Sequence, residues 1–351
     1  MTVLAPAVTA RFGNLRYDRH VTSLSADLGL LPAVNRVTAV LPRDVPVDAA
    51  PGDPAKITLD GGEGSATVLT GTVGSVRRTA TANVVTAVDA GALLARLRPA
   101  ATFDGQSVAD VVRKLAADAG APTGTLLAPA RLAVYVAHQQ RTGAEHVAEL
   151  ARLGGALALV DADGEVSLLP RPPGPPDRAL LFGREFTDYR VDDLPARPQV
   201  VVVGNGPAGF VPAPDAFLHT ATPLTAGGAD PGPSVVWAPA PALRLPAAVE
   251  AAAKEANAAR AAGAQRLVAD CWLLPEVRPG QLLEVQGLPG RLPAGPWLVT
   301  SVVHTLDGRA GGATRLRAVV GGGRPGVAPG RRPGRAGEPA VRPPVSRLGR
   351  G

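Results

Sequence analysis

The chain has few aromatic residues, little cysteine and no long apolar runs. Trp, Tyr and Phe together supply 3% of its 351 residues. Its cores must therefore be built from Val, Leu and Ala, and the stacking platforms of single-stranded nucleic-acid binders are scarce. Cys271 is the single cysteine, which excludes an internal disulfide and any cysteine-based zinc cluster and fits a reducing compartment or a chain indifferent to redox. No apolar run approaches the roughly 18 residues of a membrane span. The start of the chain, with Arg11 and Arg16, has no long apolar region or cleavage-type stretch, so no signal peptide is expected.

Glycine and proline are abundant instead, at 41 and 36 residues, about 22% together and just under a low-complexity composition. That density of helix breakers excludes a mainly helical bundle, while 46% apolar residues are enough for more than one core. The formal charge of +6 is local. Between Arg324 and Gly351 there are seven arginines and one glutamate, leaving 29 basic and 29 acidic residues before them. The body is neutral, and the basicity belongs to a Pro/Gly/Arg tail that cannot bury a core.

Residues up to about Leu97 read as an antiparallel sheet, closed or nearly so. The runs Thr67 to Val76 and Asn83 to Asp89 are β-branched, and Asp60-Gly61-Gly62 supplies a turn. Over 101–170 the pattern changes. Ser107 and Asp110 resemble a capping box ahead of Val108, Val111, Val112, Leu115 and Ala119, with Gly120 as the stop. Thr142 and Glu145 repeat that signal ahead of Val147, Leu150 and Ala151, and Gly154-Gly155 ends the helix. The runs Ala156 to Val160 and Glu165 to Leu169 flank Asp161-Ala162-Asp163-Gly164, a hairpin turn. Pro170 to Pro176 forms a bridge. Gln199 to Val203 is a strand, followed by a Pro/Gly/Ala loop region to about Leu243 and an Ala-rich helix from Pro246 to Gly263. Leu282 to Val285, Trp297 to Leu306 and Thr314 to Val320 are strands; in the last, Leu316, Ala318 and Val320 share one face and Arg315 and Arg317 the other.

The fold class is thus α+β and mainly β. We divide it into a first sheet domain at 1–100, an α+β insert at 101–170, a second sheet domain with the Ala-rich helix at 171–322, and a disordered basic tail at 323–351. One motif points to an enzyme. Val200 to Val203 leads into Gly204-Asn205-Gly206-Pro207-Ala208-Gly209, a strand followed by G-x-G-x-x-G as in flavin and nicotinamide sites. That chemistry requires a helix to start at the glycines, and Pro212 and Pro214 oppose one, so a strand leaving through a Gly/Pro loop is the favoured reading. Asp161, Asp163 and Glu165 are too few for a calcium loop. His20, His138, His146, His219 and His304 have no metal-ligand spacing, and neither a Gly-x-Ser-x-Gly elbow nor a Walker motif is present. No catalytic, cofactor-binding or metal-binding residue is assigned.

The order of modules carries phrases similar to the late control protein D family, the hub proteins of contractile phage tails, related to the hub portion of type VI secretion spikes and of extracellular contractile injection systems. The phrases are Leu69-Thr70-Gly71-Thr72-Val73 leading to Val88-Asp89 and Leu93-Leu94; Thr102-Phe103-Asp104-Gly105-Gln106-Ser107-Val108-Ala109-Asp110-Val111-Val112; His138-Gln139-Gln140, Glu149-Leu150-Ala151 and Gly154-Gly155; and Pro275-Glu276-Val277-Arg278-Pro279-Gly280 with Trp297-Leu298-Val299 and Val303-His304. The resemblance spans about residues 1–322. It implies two tube-like β-barrels per chain and a homotrimer whose six pseudo-equivalent barrels adapt a hexameric tail tube to a trimeric spike. The implied partners are tail tube and baseplate proteins and a separate spike, such as a baseplate assembly protein of the V type, because no spike repeat or peptidoglycan-cleaving domain follows. The implied location is the cytoplasm, within a phage-tail-like particle. A flavin- or nicotinamide-dependent enzyme built on Gly204 to Gly209 is the alternative, and a nucleic-acid contact through the Arg-rich tail is a minor third.

Overall fold

The computed structural model describes residues 6–62, 64–172, 174–195, 198–205, 224–227, 235–289, 295–308 and 311–321. The first stretch folds into β1 (Ala7–Phe12), β2 (Leu15–Tyr17), β3 (Ser23–Gly29), β4 (Arg36–Pro42), β5 (Pro54–Asp60), β6 (Ser65–Arg78) and β7 (Ala82–Val88). Alternation decides which face is inside. On β4, Val37, Ala39 and Leu41 are fully buried while their neighbours are partly or wholly open, the period-2 pattern of a sheet with one packed face. These inward side chains join Phe12, Ile57, Leu59 and Leu69 in one core.

An insert follows: α1 (Gly91–Arg96), β8 (Ala101–Asp104), α2 (Val108–Ala119), β9 (Thr123–Leu126), β10 (Val134–Ala137), α3 (Gly143–Gly154) and the hairpin β11 (Ala156–Val160) and β12 (Val166–Pro170). Its helices start where the local signals place them. Ser107 Oγ accepts from the Asp110 N–H at 3.1 Å. Thr142 and Glu145 form a reciprocal capping box, with Thr142 N–H donating to Glu145 Oε2 at 2.7 Å and Glu145 N–H to Thr142 Oγ1 at 3.1 Å. Both helices end in a left-handed glycine, Gly120 and Gly155. At the hairpin, Asp161 Oδ1 accepts from the N–H groups of Asp163 and Glu165, both at 3.0 Å, so this carboxylate is used in closing the turn.

The rest of the chain supplies β13 (Arg178–Leu181), β14 (Phe186–Asp193), β15 (Gln199–Gly204), β16 (Leu224–Ala226), β17 (Val235–Ala240), α4 (Pro246–Ala262), β18 (Gln265–Trp272), β19 (Leu282–Gln286), β20 (Trp297–Asp307) and β21 (Gly311–Val320). Strands β15–β17 form a small separate sheet. Helix α4 packs its face of Ala248, Val249, Ala252 and Ala253 against this sheet and α3, in the same core as α2 and α3. The Ala-rich helix therefore shares the insert's core, although its sequence lies within the second sheet region. Asn257, in mid-helix, fastens it by accepting from the Val200 N–H at 3.1 Å and donating to the Val200 carbonyl at 2.7 Å.

The two expected barrels do not close. The main sheet has thirteen strands, running β14-β18-β21-β20-β3-β4-β7-β6-β5-β1-β2, with β19 branching from β20 and β13 from β19. The physical reason lies in β20. Trp297 and Leu298 pair with β19, whereas Ser301 to Asp307 pair with β3. The change of partner falls at a bulge between Val299 and Ser301 in the ladder to β21, where an extra residue bends the strand and raises its twist. One strand thus joins both halves of the sheet, each with its own core. The second core contains Leu180, Phe186, Leu267, Trp297, Val302 and Leu316.

The halves and the insert meet around the turn before β19. The half-buried Arg278 donates to the Thr67 carbonyl of β6, with Asp161 and Asp163 of the insert hairpin facing its charge; desolvation holds the guanidinium below its ordinary pKa. Thr70 Oγ1 donates to the Ala162 carbonyl at 2.7 Å. His304, buried on β20, shares a 2.9 Å hydrogen bond with Thr314 Oγ1; burial first, then Arg278, push its pKa down to about 3. At the exit from β7, Asp89 Oδ1 accepts from the Gly91 N–H at 2.9 Å while Oδ2 has no hydrogen-bond partner. Burial raises its pKa to about 7.

Two outcomes follow from this joint. A Cβ on Gly71 would lie 2.1 Å from the Val88 carbonyl oxygen and 2.9 Å from Asp89 Cα, backbone that cannot yield cheaply, so Gly71→Ala should cost about 1–3 kcal/mol, read as a lower denaturation midpoint. Because the folded pKa of Asp89 is raised, its contribution is full below pH 4 and is lost as pH rises through about 7. Asp89→Asn should therefore gain melting temperature relative to the parent chain from pH 5 to pH 8 and level off above that; a difference that stays flat across this range would refute the assignment.

Candidate assembly interface

The enzyme-like motif serves packing at the one glycine of its signature that the structure describes. Gly204 ends β15, and a Cβ there would come within 2.5 Å of both the Leu243 carbonyl oxygen and Val249 Cγ2. A glycine lets the strand end close against the Leu243 turn and the first turn of α4. The helix on β15 begins at Pro246, far along the chain from the glycines. Gly206 to Gly209 lie outside the described residues, as do the Arg324 to Gly351 tail and His219.

His146 and Cys271 are committed to structure, whereas His20 and His138 are exposed. His146 is buried, with Nδ1 2.8 Å from the Tyr135 hydroxyl and Nε2 3.0 Å from the His138 carbonyl. The carbonyl can only accept, so Nε2 carries the proton and Nδ1 accepts from Tyr135; burial lowers the pKa of this neutral ring and pushes the Tyr135 phenol up. Cys271 is buried in the second core and its thiol is pushed up to about 12, chiefly by burial, so it carries no thiolate near neutral pH. Among the described residues no group of three or more His, Cys, Asp or Glu could hold a metal ion, and no helix is long and apolar enough to cross a membrane.

The main sheet ends at β14, at β2 and, on its branch, at β13; apart from a bridge between Phe182 and Phe186, the outer edges of β14 and β2 carry backbone donors and acceptors that no described strand pairs. On the outer face beside β14, the Arg315 guanidinium donates to both carboxylate oxygens of Asp270, at 2.6 and 2.9 Å, and holds that carboxyl below its usual range. Arg315 and Arg317 do face outward and Leu316 and Ala318 inward, as the alternation predicts. The pair is exposed and contributes little to stability, so it orders the face more than it stabilises the fold.

Two of the three tryptophans are open, Trp237 at 60% and Trp272 at 56%. Trp272 borders a cleft of about 440 Å³ that also includes Leu273, Gly61, Arg178, Arg184 and Glu276. Exposed Trp beside Arg is the composition of binding hot spots. Sequence reasoning did not single out these tryptophans: a Trp in a strand reads as core, and only the alternation across β18, with Leu267, Ala269 and Cys271 turned inward, puts Trp272 outside.

The sequence matches no protein-family model and no curated protein. Its fold, however, matches solved structures along most of the chain. A tail protein from Neisseria meningitidis MC58 is 18% identical with a TM-score of 0.67, over 90% of this chain and 96% of that one. The 43 kDa tail protein of prophage MuSo2 from Shewanella oneidensis is 14% identical with a TM-score of 0.62, over 90% and 98%. A type VI secretion component of E. coli, described as similar to bacteriophage T4 tail proteins, is 13% identical with a TM-score of 0.55, over 86% and 73%. At these identities the likeness establishes the fold, and that fold is the one found in phage tail proteins and in a component of type VI secretion.

Proposed function

We propose that the chain is a structural hub of a phage-tail-like particle, acting by assembly and not by catalysis. The observation that carries this reading is the open thirteen-stranded sheet with a core on each side of β20: two half-sheets in one chain, with outer edges at β14 and β2. Three copies arranged about one axis present six half-sheets, which supplies the symmetry match between a hexameric tube and a trimeric spike. Tube-like closure then belongs to the ring of copies, through edges left open in the single chain. The fold shared with tail proteins over most of their length supports the same role. The partners of such a hub are the tail tube, other baseplate proteins and a separate spike, and it joins them in the cytoplasm. The flavin or nicotinamide reading draws no support from the fold, in which Gly204 is a packing glycine.

Native mass spectrometry of the purified chain, alone and with its spike protein, should show three copies. Trp272→Glu, at a position already open to solvent, should shift that population toward the monomer with little change in melting temperature. A chain that stays monomeric in both experiments would overturn the hub reading.

A further inference from the structure

The outward face of the main sheet is continuous from one end to the other. Cross-strand partners lead from Lys56 and Pro54 on β5, through Arg36 on β4 and Val303 on β20, to Asp188 on β14. In the body of this face charges of opposite sign are set against each other: Arg36 opposes Asp27 and Arg315 opposes Asp270. Among the described residues of the sheet, like charges stand directly opposite only at its two ends. Arg11 lies between Arg16 and Lys56 at the β2 end, and Asp188 lies against Asp270 at the β14 end. Like charges in such positions work against the sheet.

Internal partners offset these charges only in part. Arg16 pairs with Asp18 at 2.7 Å in the open, while Arg11 Nε reaches no more than the Gly13 carbonyl, at 3.4 Å. All three cations are exposed, and among the described residues neither Arg11 nor Lys56 has an ion pair. At the other end Arg315 donates to both oxygens of Asp270. Asp188 also faces that guanidinium, but its own Oδ1 accepts only from the Tyr189 N–H, at 2.8 Å. One arginine therefore serves two carboxylates. The row at β2 keeps a positive surplus and the row at β14 a negative one.

Resting on the hub reading, we propose that the copy-to-copy contact is heterologous, with the β14 edge of one copy added to the β2 edge of the next and Asp188 brought beside Arg16. The signs of the charges select this pairing. Two β14 edges together would mass carboxylates, and two β2 edges would mass cations, whereas β14 against β2 relieves both rows at once. Only a heterologous contact repeats around a ring of three, since an isologous one closes at two. Main-chain hydrogen bonds between the two edges hold the contact, and the charged rows set its partner and direction.

The test reverses charge at each edge in the full chain and follows association by sedimentation. Arg16→Glu sets a carboxylate opposite Arg11, and Asp188→Lys sets a cation opposite Asp270, so neither harms the sheet within a copy. Each should keep the circular dichroism melt of the parent chain and weaken association at least tenfold. Together in one chain they should restore it to within threefold. A trimer indifferent to both single substitutions would overturn this contact and leave the hub reading standing, and so would a double variant that fails to recover. Charge-sensitive association into another copy number would keep the contact and count against the hub. A parent chain that stays monomeric at every concentration, alone and with its spike protein, would overturn both.

Discussion

The ladder between β20 and β3 is the constraint on which the rest of the structure depends. It joins a strand near the start of the described chain to one near its end, Ser301 opposite Gly29 through to Asp307 opposite Ser23. Without it the chain would be two sheets with a helical insert hung between them. With it, a single sheet carries two cores, and the bulge at Val299 lets β20 release β19 and take up β3. Such long-range pairing is entropically costly to form, and part-buried polar contacts hold the segments around it. Arg278, Thr70 and the Asp161 hairpin tie the insert to the same place, and His304 lies beneath them as a neutral ring.

The insert is held by a different kind of force. Its core is made of small aliphatic side chains from α2, α3 and α4 and the strands around them, close-packed without large aromatics other than Phe103 and Tyr135. Small residues let backbones approach closely, and glycine appears at such approaches, at Gly204 against Leu243 and, in the main sheet, at Gly71 against Val88. Much of the glycine and proline content therefore belongs to ordered structure. A chain with few aromatics reaches interior density by bringing its backbones together, and glycine is what makes that contact possible. The same economy leaves two of its three tryptophans for the surface.

The local features of the fold were legible because their physics is local. Ser107 and Thr142 open helices and Gly120 and Gly155 close them through contacts within a turn of chain. The alternation of Leu316 and Ala318 with Arg315 and Arg317 needed only the pleat of a strand. Strand β17 was not legible: Val235 to Ala240 lies in a Pro/Gly/Ala-rich stretch and contains Pro239, which argues against a strand unless it is an edge, and an edge is a property of the whole sheet. The packing of α4 on α3 was equally hidden, since an alanine face fits any close neighbour.

The amino-acid order alone determined the class of the protein, mainly β with a capped helical insert, a neutral body and a basic tail. It also identified turns and helix ends that depend on nearest neighbours. Tertiary structure decided which strand pairs with which, that β20 is shared and neither half closes on itself, that Gly204 packs against Leu243 and Val249, and that Trp237 and Trp272 lie on the surface. The difference is one of range: caps and pleats are settled within a few residues, whereas edges, grooves and joints exist only once segments far apart in the chain have met.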